Sequence, residues 1–320
     1  KLFLITSAIC HVHISLNMLC VTILFALVGF AVSTFDHDLD EKYQKMPREQ
    51  FIEYFNAQNY TWKMKYQPHL EHTVSCATFT NANSSGLEIK RYDPAIYATL
   101  PTNFDARQKW SKCQTMNDIF DQGRCGSCWT FGTANVAADR LCIAKQENIR
   151  LSEQDFDCLG PICNGGYLDE SFHYWKDKGL VSSKCKPYDI SSTQYCVPKC
   201  NDTSIDYAKD KHYAERVYSV SSKNEDIKAE LFTNGPITVG FKVYDDFRNY
   251  HGGIYEYKAG ILLGGHAVRL IGYGEENGVE YWLAANSWGT DWGEGGFFKV
   301  KKYQRQLKFE NNLFTGIAKN

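Results

Sequence analysis

The sequence predicts an α+β protein with two lobes, one helical and one a barrel-like sheet of short strands, separated by a cleft. Three observations carry this reading. Ala134, Ala137, Ala138 and Leu141 recur at i, i+3, i+4 and i+7 within residues 128–145, which gives a helix one face to bury. From about Tyr213 onward the pattern changes to short alternating runs separated by glycine, as in residues 237–243 and 265–273, and these read as strands. Finally, 320 residues with 43% hydrophobic content suffice for two modest lobes and one preceding segment, but not for many domains.

The elements follow in order. Met18 opens an almost wholly apolar run through Val32, ending in Ala31-Val32-Ser33, a small-residue cleavage pattern, and the charged stretch 36–45 comes next. Such a run is too short for a membrane span and reads as a signal peptide, so residues 1–33 form the leader. Residues 1–17 have no initiator methionine and are broken by His11, His13 and Asn17; they read as an untranslated upstream extension. In residues 34–99, Pro47 suits the first turn of a helix, and Phe51, Tyr54 and Phe55 form an apolar stripe leading towards Trp62. The turn-rich residues 81–86 and their surroundings offer little core, which argues against an independent subdomain.

Charge excludes some partners. Thirty-five basic and 37 acidic residues leave a net charge of -2, so neither nucleic acid nor an anionic membrane is indicated. Twelve cysteines, a leader and the sequons at Asn59, Asn83 and Asn201 together point to the secretory pathway, where disulfides persist and asparagines are glycosylated.

The chemistry centres on Gln122-Gly123-Arg124-Cys125-Gly126-Ser127-Cys128-Trp129. It sets Cys128 at a helix start, where unpaired backbone N–H groups stabilise a thiolate and can later hold an oxyanion. A nucleophile needs a base, and the base an orienting partner. His266 opens an alternating run, and Asn286 closes the strand-like run that begins at Tyr281. The competing readings of Cys125-Gly126-Ser127-Cys128 are a zinc site and a redox pair. A zinc site wants a second close ligand pair, for which Cys158 and Cys163 are too loosely spaced, and a thioredoxin-like motif wants a βαβ context that is missing. Taken singly, His266 reads as a packed histidine, Asn286 as a turn residue and Trp288 as core. In order with Cys128 they read as a catalytic set.

These motifs resemble those of the papain-type cysteine peptidases. The cathepsin B branch is the nearest match, through Leu100-Pro101-Thr102-Asn103-Phe104-Asp105-Ala106-Arg107, Cys163-Asn164-Gly165-Gly166-Tyr167 and Lys211-His212-Tyr213, from about Phe51 to the C-terminus. The resemblance implies an inhibitory propeptide at 34–99 and a mature peptidase at 100–320. Asn56-Ala57-Gln58-Asn59-Tyr60-Thr61-Trp62 is its best match in the propeptide, and Cys76-Ala77-Thr78-Phe79 is the stretch that would block the cleft, running in reverse to a substrate. It implies disulfides Cys113–Cys142, Cys125–Cys163, Cys158–Cys196 and Cys185–Cys200, leaving Cys128 free, Cys76 over in the propeptide, and Cys10 and Cys20 in the leader. Cys128 would be the nucleophile, His266 the base, Asn286 its orienting acceptor, and Gln122 an oxyanion donor. Trp288 would shield the His266–Asn286 bond, and Gly165 and Gly166 would let a substrate backbone approach. No metal or cofactor is implied.

The chain also departs from that branch. Cathepsin B carries a long disulfide-closed loop whose adjacent histidines bind a substrate's terminal carboxylate. Here only residues 186–195 separate Cys185 from Cys196, without a histidine, so the primed side should be open. Alignment on Thr315-Gly316-Ile317 places Asn312 where cathepsin B has the glutamate that accepts arginine at P2, and Leu168, Gly240 and Ala267 would line the rest of an apolar pocket. The reading is therefore a monomeric cysteine endopeptidase made as a zymogen, secreted or lysosomal. Its partners would be protein or peptide substrates, its own propeptide and cystatin-type inhibitors. The alternatives are a dipeptidyl carboxypeptidase and a catalytically silent secreted binding protein. Asp36, Asp38, Asp40, Glu41, Glu49 and Glu53 further suggest that acid weakens propeptide docking as paired carboxylates protonate.

Overall fold

The computed structural model describes residues 36–70, 76–78, 85–192 and 195–319. The leader with Cys10 and Cys20, and the sequon at Asn83, lie outside the described residues. The described fold from Asp38 onward belongs to one compact unit.

Helices α1 (His37–Lys45) and α2 (Arg48–Ala57) open the described chain. Pro47 sits one position ahead of α2, and Phe51, Ile52 and Phe55 form its buried face, so Ile52 takes the place expected of the half-buried Tyr54. The first three strands, β1 (Trp62–Met64), β2 (Ala77–Thr78) and β3 (Ile89–Lys90), precede the short helices α3 (Pro94–Tyr97) and α4 (Ala106–Lys109), with β4 (Phe104–Asp105) between them.

The central helix α5 (Cys128–Lys145) is followed by β5 (Gly166–Tyr167) and α6 (Leu168–Asp177). One apolar face was expected of α5. Instead it is buried nearly all round as far as Cys142, polar Thr130, Thr133, Asp139 and Arg140 included, because both lobes pack on it. Those polar side chains all find internal partners: Thr130 and Thr133 donate to Ser127 O and Trp129 O, Arg140 pairs with Glu230 at 2.7 Å and Asp139 with Arg269 at 3.1 Å, although Arg140 Nη1 has no partner among the described residues. Gly132 allows the close approach, since a Cβ there would stand 2.9 Å from the Thr238 methyl.

The strand lobe contains β6 (Ala214–Val220), helix α7 (Asn224–Asn234), β7 (Ile237–Tyr244), β8 (Tyr250–Tyr255), β9 (Leu262–Glu276), β10 (Val279–Ala285), β11 (Phe297–Lys301) and β12 (Asn312–Ala318). The expected barrel-like lobe is realised as an open ten-stranded sheet, ordered β1-β8-β11-β10-β9-β7-β12-β6-β3 with β4 beside β9. Its two edges are capped by the short strands β1, antiparallel on β8, and β3, parallel on β6. One core fills the strand lobe around Phe247, Tyr255, Trp282, Trp292 and Phe298, and a second lies between α5, α6 and the sheet around Trp129, Phe172 and Phe314.

Disulfides join Cys113 to Cys142, Cys125 to Cys163, Cys158 to Cys196 and Cys185 to Cys200. A fifth was not expected: Cys76 is bonded to Cys128.

Candidate active site

Cys128 is the first residue of α5 and His266 lies in β9, so the two lobes supply one side chain each. The buried Asp139–Arg269 pair ties the same two elements together three residues beyond His266 and thereby fixes their separation. Asn286 follows the end of β10, which pairs along β9. His266 Nε2 lies 2.7 Å from Asn286 Oδ1, an oxygen that also accepts the Ser287 backbone N–H at 2.8 Å. Because an amide oxygen only accepts, the imidazole must carry its proton on Nε2 and present Nδ1 to the sulfurs.

The Trp288 ring covers this pair, with its centroid 4.8 Å from that of His266, and Phe241 meets the histidine edge-on from β7. All of His266, Asn286 and Trp288 are buried. Burial lowers the pKa of His266 to about 4, against the opposing effect of its bond to Asn286. In this closed form the imidazole is therefore neutral.

Gln122 is clamped in place. Its backbone N–H donates to Ser287 O at 2.9 Å, its amide donates to Cys125 O at 2.8 Å, and its amide oxygen accepts from Ser287 Oγ at 2.7 Å. Two residues that sequence reasoning passed over support it. Ser287 is one. Tyr188 is the other: its hydroxyl donates to Gln122 O at 2.8 Å and stands 2.6 Å from Ser127 Oγ, directly ahead of the nucleophile. An isolated tyrosine in the run following Cys185 carries no signal in the sequence.

The residues 76–78 run through this centre. Cys76 N–H donates to Gly265 O at 3.0 Å, Gly166 N–H donates to Cys76 O at 3.4 Å, and β2 pairs in parallel with β5. Of the stretch expected to block the cleft, residues 76–78 thus lie along both walls, and Phe79 lies outside the described residues. Cys76 Sγ stands 3.5 Å from His266 Nδ1 and 3.7 Å from Gln122 Nε2, while Cys128 Sγ accepts the Ala267 N–H at 3.1 Å. Sequence reasoning left Cys128 unpaired and Cys76 over; the structure bonds them, because backbone contacts bring their Cα atoms to 5.5 Å.

Both glycines lie against residues 76–78. Gly165 has φ +82° and backs onto Cys76, while Gly166 also leaves room for Trp129, whose ring would lie 2.6 Å from a Cβ. Ala267, Gly240 and Asn312 stand in one row across β9, β7 and β12, and Leu168 joins Ala267 in the same buried cluster. Glu310, two residues from Asn312, accepts instead from Trp282 Nε1 and Tyr303 N–H, each at 3.0 Å. The sequons Asn59 and Asn201 are exposed. None of the described helices is long and apolar enough to cross a membrane.

A cysteine heading a helix, opposite a histidine bonded to an asparagine across a two-lobed fold, defines a thiol-dependent protease. Residues 100–317 match the profile of the papain family cysteine proteases, and the chain belongs to that family. Within it, the chain is similar to the cathepsin B-like cysteine proteinase 3 of Caenorhabditis elegans, 41% identical over 69% of this chain and 66% of that protein. It is also 40% identical to a gut-specific cysteine proteinase of the same organism, over 70% of this chain and 75% of that one. The solved proCathepsin B S9 from Trypanosoma congolense is 30% identical and covers 86% of this chain and 99% of its own, with a TM-score of 0.78. That structure is a proenzyme, so the likeness extends over a chain that still carries its N-terminal segment.

Proposed function

We propose that the chain is the zymogen of a cysteine endopeptidase in which Cys128 attacks the scissile carbonyl. The observation that carries this reading is the buried Asn286–His266 pair beside a cysteine at a helix N-terminus. Once the cleft is open, the thiolate and imidazolium forms of Cys128 and His266 favour one another. The thiolate adds to the carbonyl, His266 protonates the leaving amine, and water then hydrolyses the thioester with His266 as base. Asn286 keeps the ring oriented as its charge changes. The Gln122 amide and the Cys128 backbone N–H stabilise the oxyanion, and losing one such donor typically costs about 100- to 1000-fold in rate.

Residues 34–99 act as the inhibitory propeptide and residues 100–320 as the mature enzyme. The five disulfides suit an oxidising compartment, so we assign the protein to the secretory pathway, with the lysosome, a vacuole or the extracellular space as its destination. Asn59, Asn83 and Asn201 are its candidate glycan sites.

Endopeptidase action follows from the short connection after Cys185. It offers no histidine pair to hold a terminal carboxylate, a charge-assisted bond worth roughly 1.5–3 kcal/mol. Apolar P2 residues are favoured because the row Ala267, Gly240, Asn312 carries no acid and Glu310 is engaged elsewhere. The test is to incubate activated protein with peptides bearing free or amidated C-termini and identify every product by mass. Internal cuts after leucine, valine or phenylalanine at P2, with both termini accepted alike, are expected. Successive loss of C-terminal dipeptides would overturn the endopeptidase reading, and efficient cleavage of Arg-Arg substrates would overturn the pocket assignment.

A further inference from the structure

We infer that Cys76 and Cys128 form a covalent latch, so that activation requires a thiol reductant in addition to removal of residues 34–99. The inference rests on the reading of Cys128 as nucleophile and extends it from steric blockage to chemical blockage.

Three observations support it. Eight cysteines between positions 113 and 200 pair among themselves, and among the described residues only Cys76 and Cys128 are left, joined across 52 positions. Cys76 is held from both walls of the cleft by backbone hydrogen bonds, to Gly265 on one side and Gly166 on the other, and its Cα lies 5.5 Å from that of Cys128, within the span a disulfide bridges. The bond therefore needs no displacement of either chain. Both side chains are buried, and Cys76 Sγ lies between His266 Nδ1 and the Gln122 amide, within the groups that make Cys128 reactive.

That setting governs the chemistry. In forming the latch, the Cys128 thiolate attacks a small-molecule disulfide such as glutathione disulfide and releases one thiol. The Cys76 thiolate then displaces the second thiol from Cys128, so two protons and two electrons leave the protein as two small-molecule thiols. In opening it, a monothiol attacks Cys76 Sγ and Cys128 departs as thiolate beside His266, the environment that favours a good leaving thiol. A second monothiol then attacks the mixed disulfide on Cys76, releasing the small-molecule disulfide and a free Cys76 thiol. With both sulfurs buried, attack awaits movement of residues 76–78. A peptide cut C-terminal to Thr78 consequently leaves the blocking segment tethered to the enzyme.

The same three groups, Cys76, Cys128 and His266, present their ligand atoms within 4.8 Å of one another, a set suited to zinc. A disulfide leaves no thiolate to bind a metal, so the two arrangements exclude each other.

The experiment uses full chain secreted from eukaryotic cells and purified without thiol. Digestion after alkylation, without reduction, should yield a cross-linked peptide pair containing Cys76 and Cys128. At acid pH with an added processing protease, wild-type protein should show at least a tenfold gain in peptide hydrolysis on adding a monothiol, whereas Cys76→Ser protein should be active without it. Alkylated Cys76 and Cys128 in the purified wild type, with or without bound zinc, would overturn the latch, as would equal thiol dependence of the two proteins. Absence of hydrolysis in both proteins after reduction and processing would instead refute the proposed function, whatever the peptide map showed.

Discussion

Residues 38–70 and residues 76–78 both lie against the catalytic body, yet they hold to it by different physics. The first stretch packs like a piece of core. Leu39, Tyr43, Phe51, Phe55, Trp62 and Met64 are buried in the same cluster as Phe247, Tyr250 and Tyr255, and Trp62 Nε1 donates to Glu256 O at 2.9 Å. The second stretch has a few backbone hydrogen bonds and one sulfur. Among the described residues, the apolar burial of the N-terminal segment lies mostly in residues 38–70, while residues 76–78 supply the contacts to Cys128, Gly166 and Gly265.

The largest expected effect tests that division. Removing a buried tryptophan side chain costs about 3–5 kcal/mol. A separate 34–99 segment carrying Cys76→Ser and Trp62→Ala should thus inhibit the mature enzyme at least about a hundredfold more weakly than one carrying Cys76→Ser alone. The Cys76→Ser change by itself should alter reversible inhibition under reducing conditions by less than about tenfold. Inhibition constants that rank the other way would place the affinity in the cleft.

The next effect is a pH dependence. His266 has a folded pKa of about 4, below its ordinary 6.5, because burial penalises the cation. A depressed histidine means the unfolded chain binds more protons between those values. Its contribution is neutral above pH 6.5, and the closed form loses stability by up to about 1.4 kcal/mol per unit as pH falls towards 4, with little further loss below. Thermal midpoints of thiol-free wild type and His266→Phe should diverge accordingly, the wild type falling more steeply between pH 6.5 and 4.5. Parallel curves would contradict the assignment.

The sequence expectation placed a separate acid response in the docking of residues 34–99. That expectation concerned whichever acidic residues of the N-terminal segment are paired in the docked state; of these, Asp38 bonds Lys42 and Glu41 bonds Lys45 within α1, the i,i+4 pairing a helix favours. Asp40 reaches across, accepting Gly260 N–H at 2.7 Å, and Arg48 pairs with Asp245 at 3.4 Å.

Much of the site was legible because its residues carry local signatures: Cys128 at a helix start, His266 in an alternating strand, Asn286 at a strand end. What was illegible depends on distant chain segments meeting. The pairings implied by the resemblance left Cys76 and Cys128 over outside the leader, but local pattern gives no distance across 52 positions. Similarly, α5 showed one apolar stripe, while its complete burial comes from lobes on both sides, and Tyr188 acquires its role only where its loop folds back on Gln122. The open sheet edges were hidden for the same reason: β1 and β3 are two- or three-residue strands defined by their partners.

The central claim is that Cys128 is the nucleophile, and labelling tests it most directly. Reduced, acid-processed protein is treated with a thiol-directed epoxide and the modified residue is mapped by mass, in wild type and in Cys128→Ala. The account predicts a single label on Cys128 in the wild type, none in the folded variant, and no peptide hydrolysis by the variant. Undiminished labelling or hydrolysis in Cys128→Ala would contradict it.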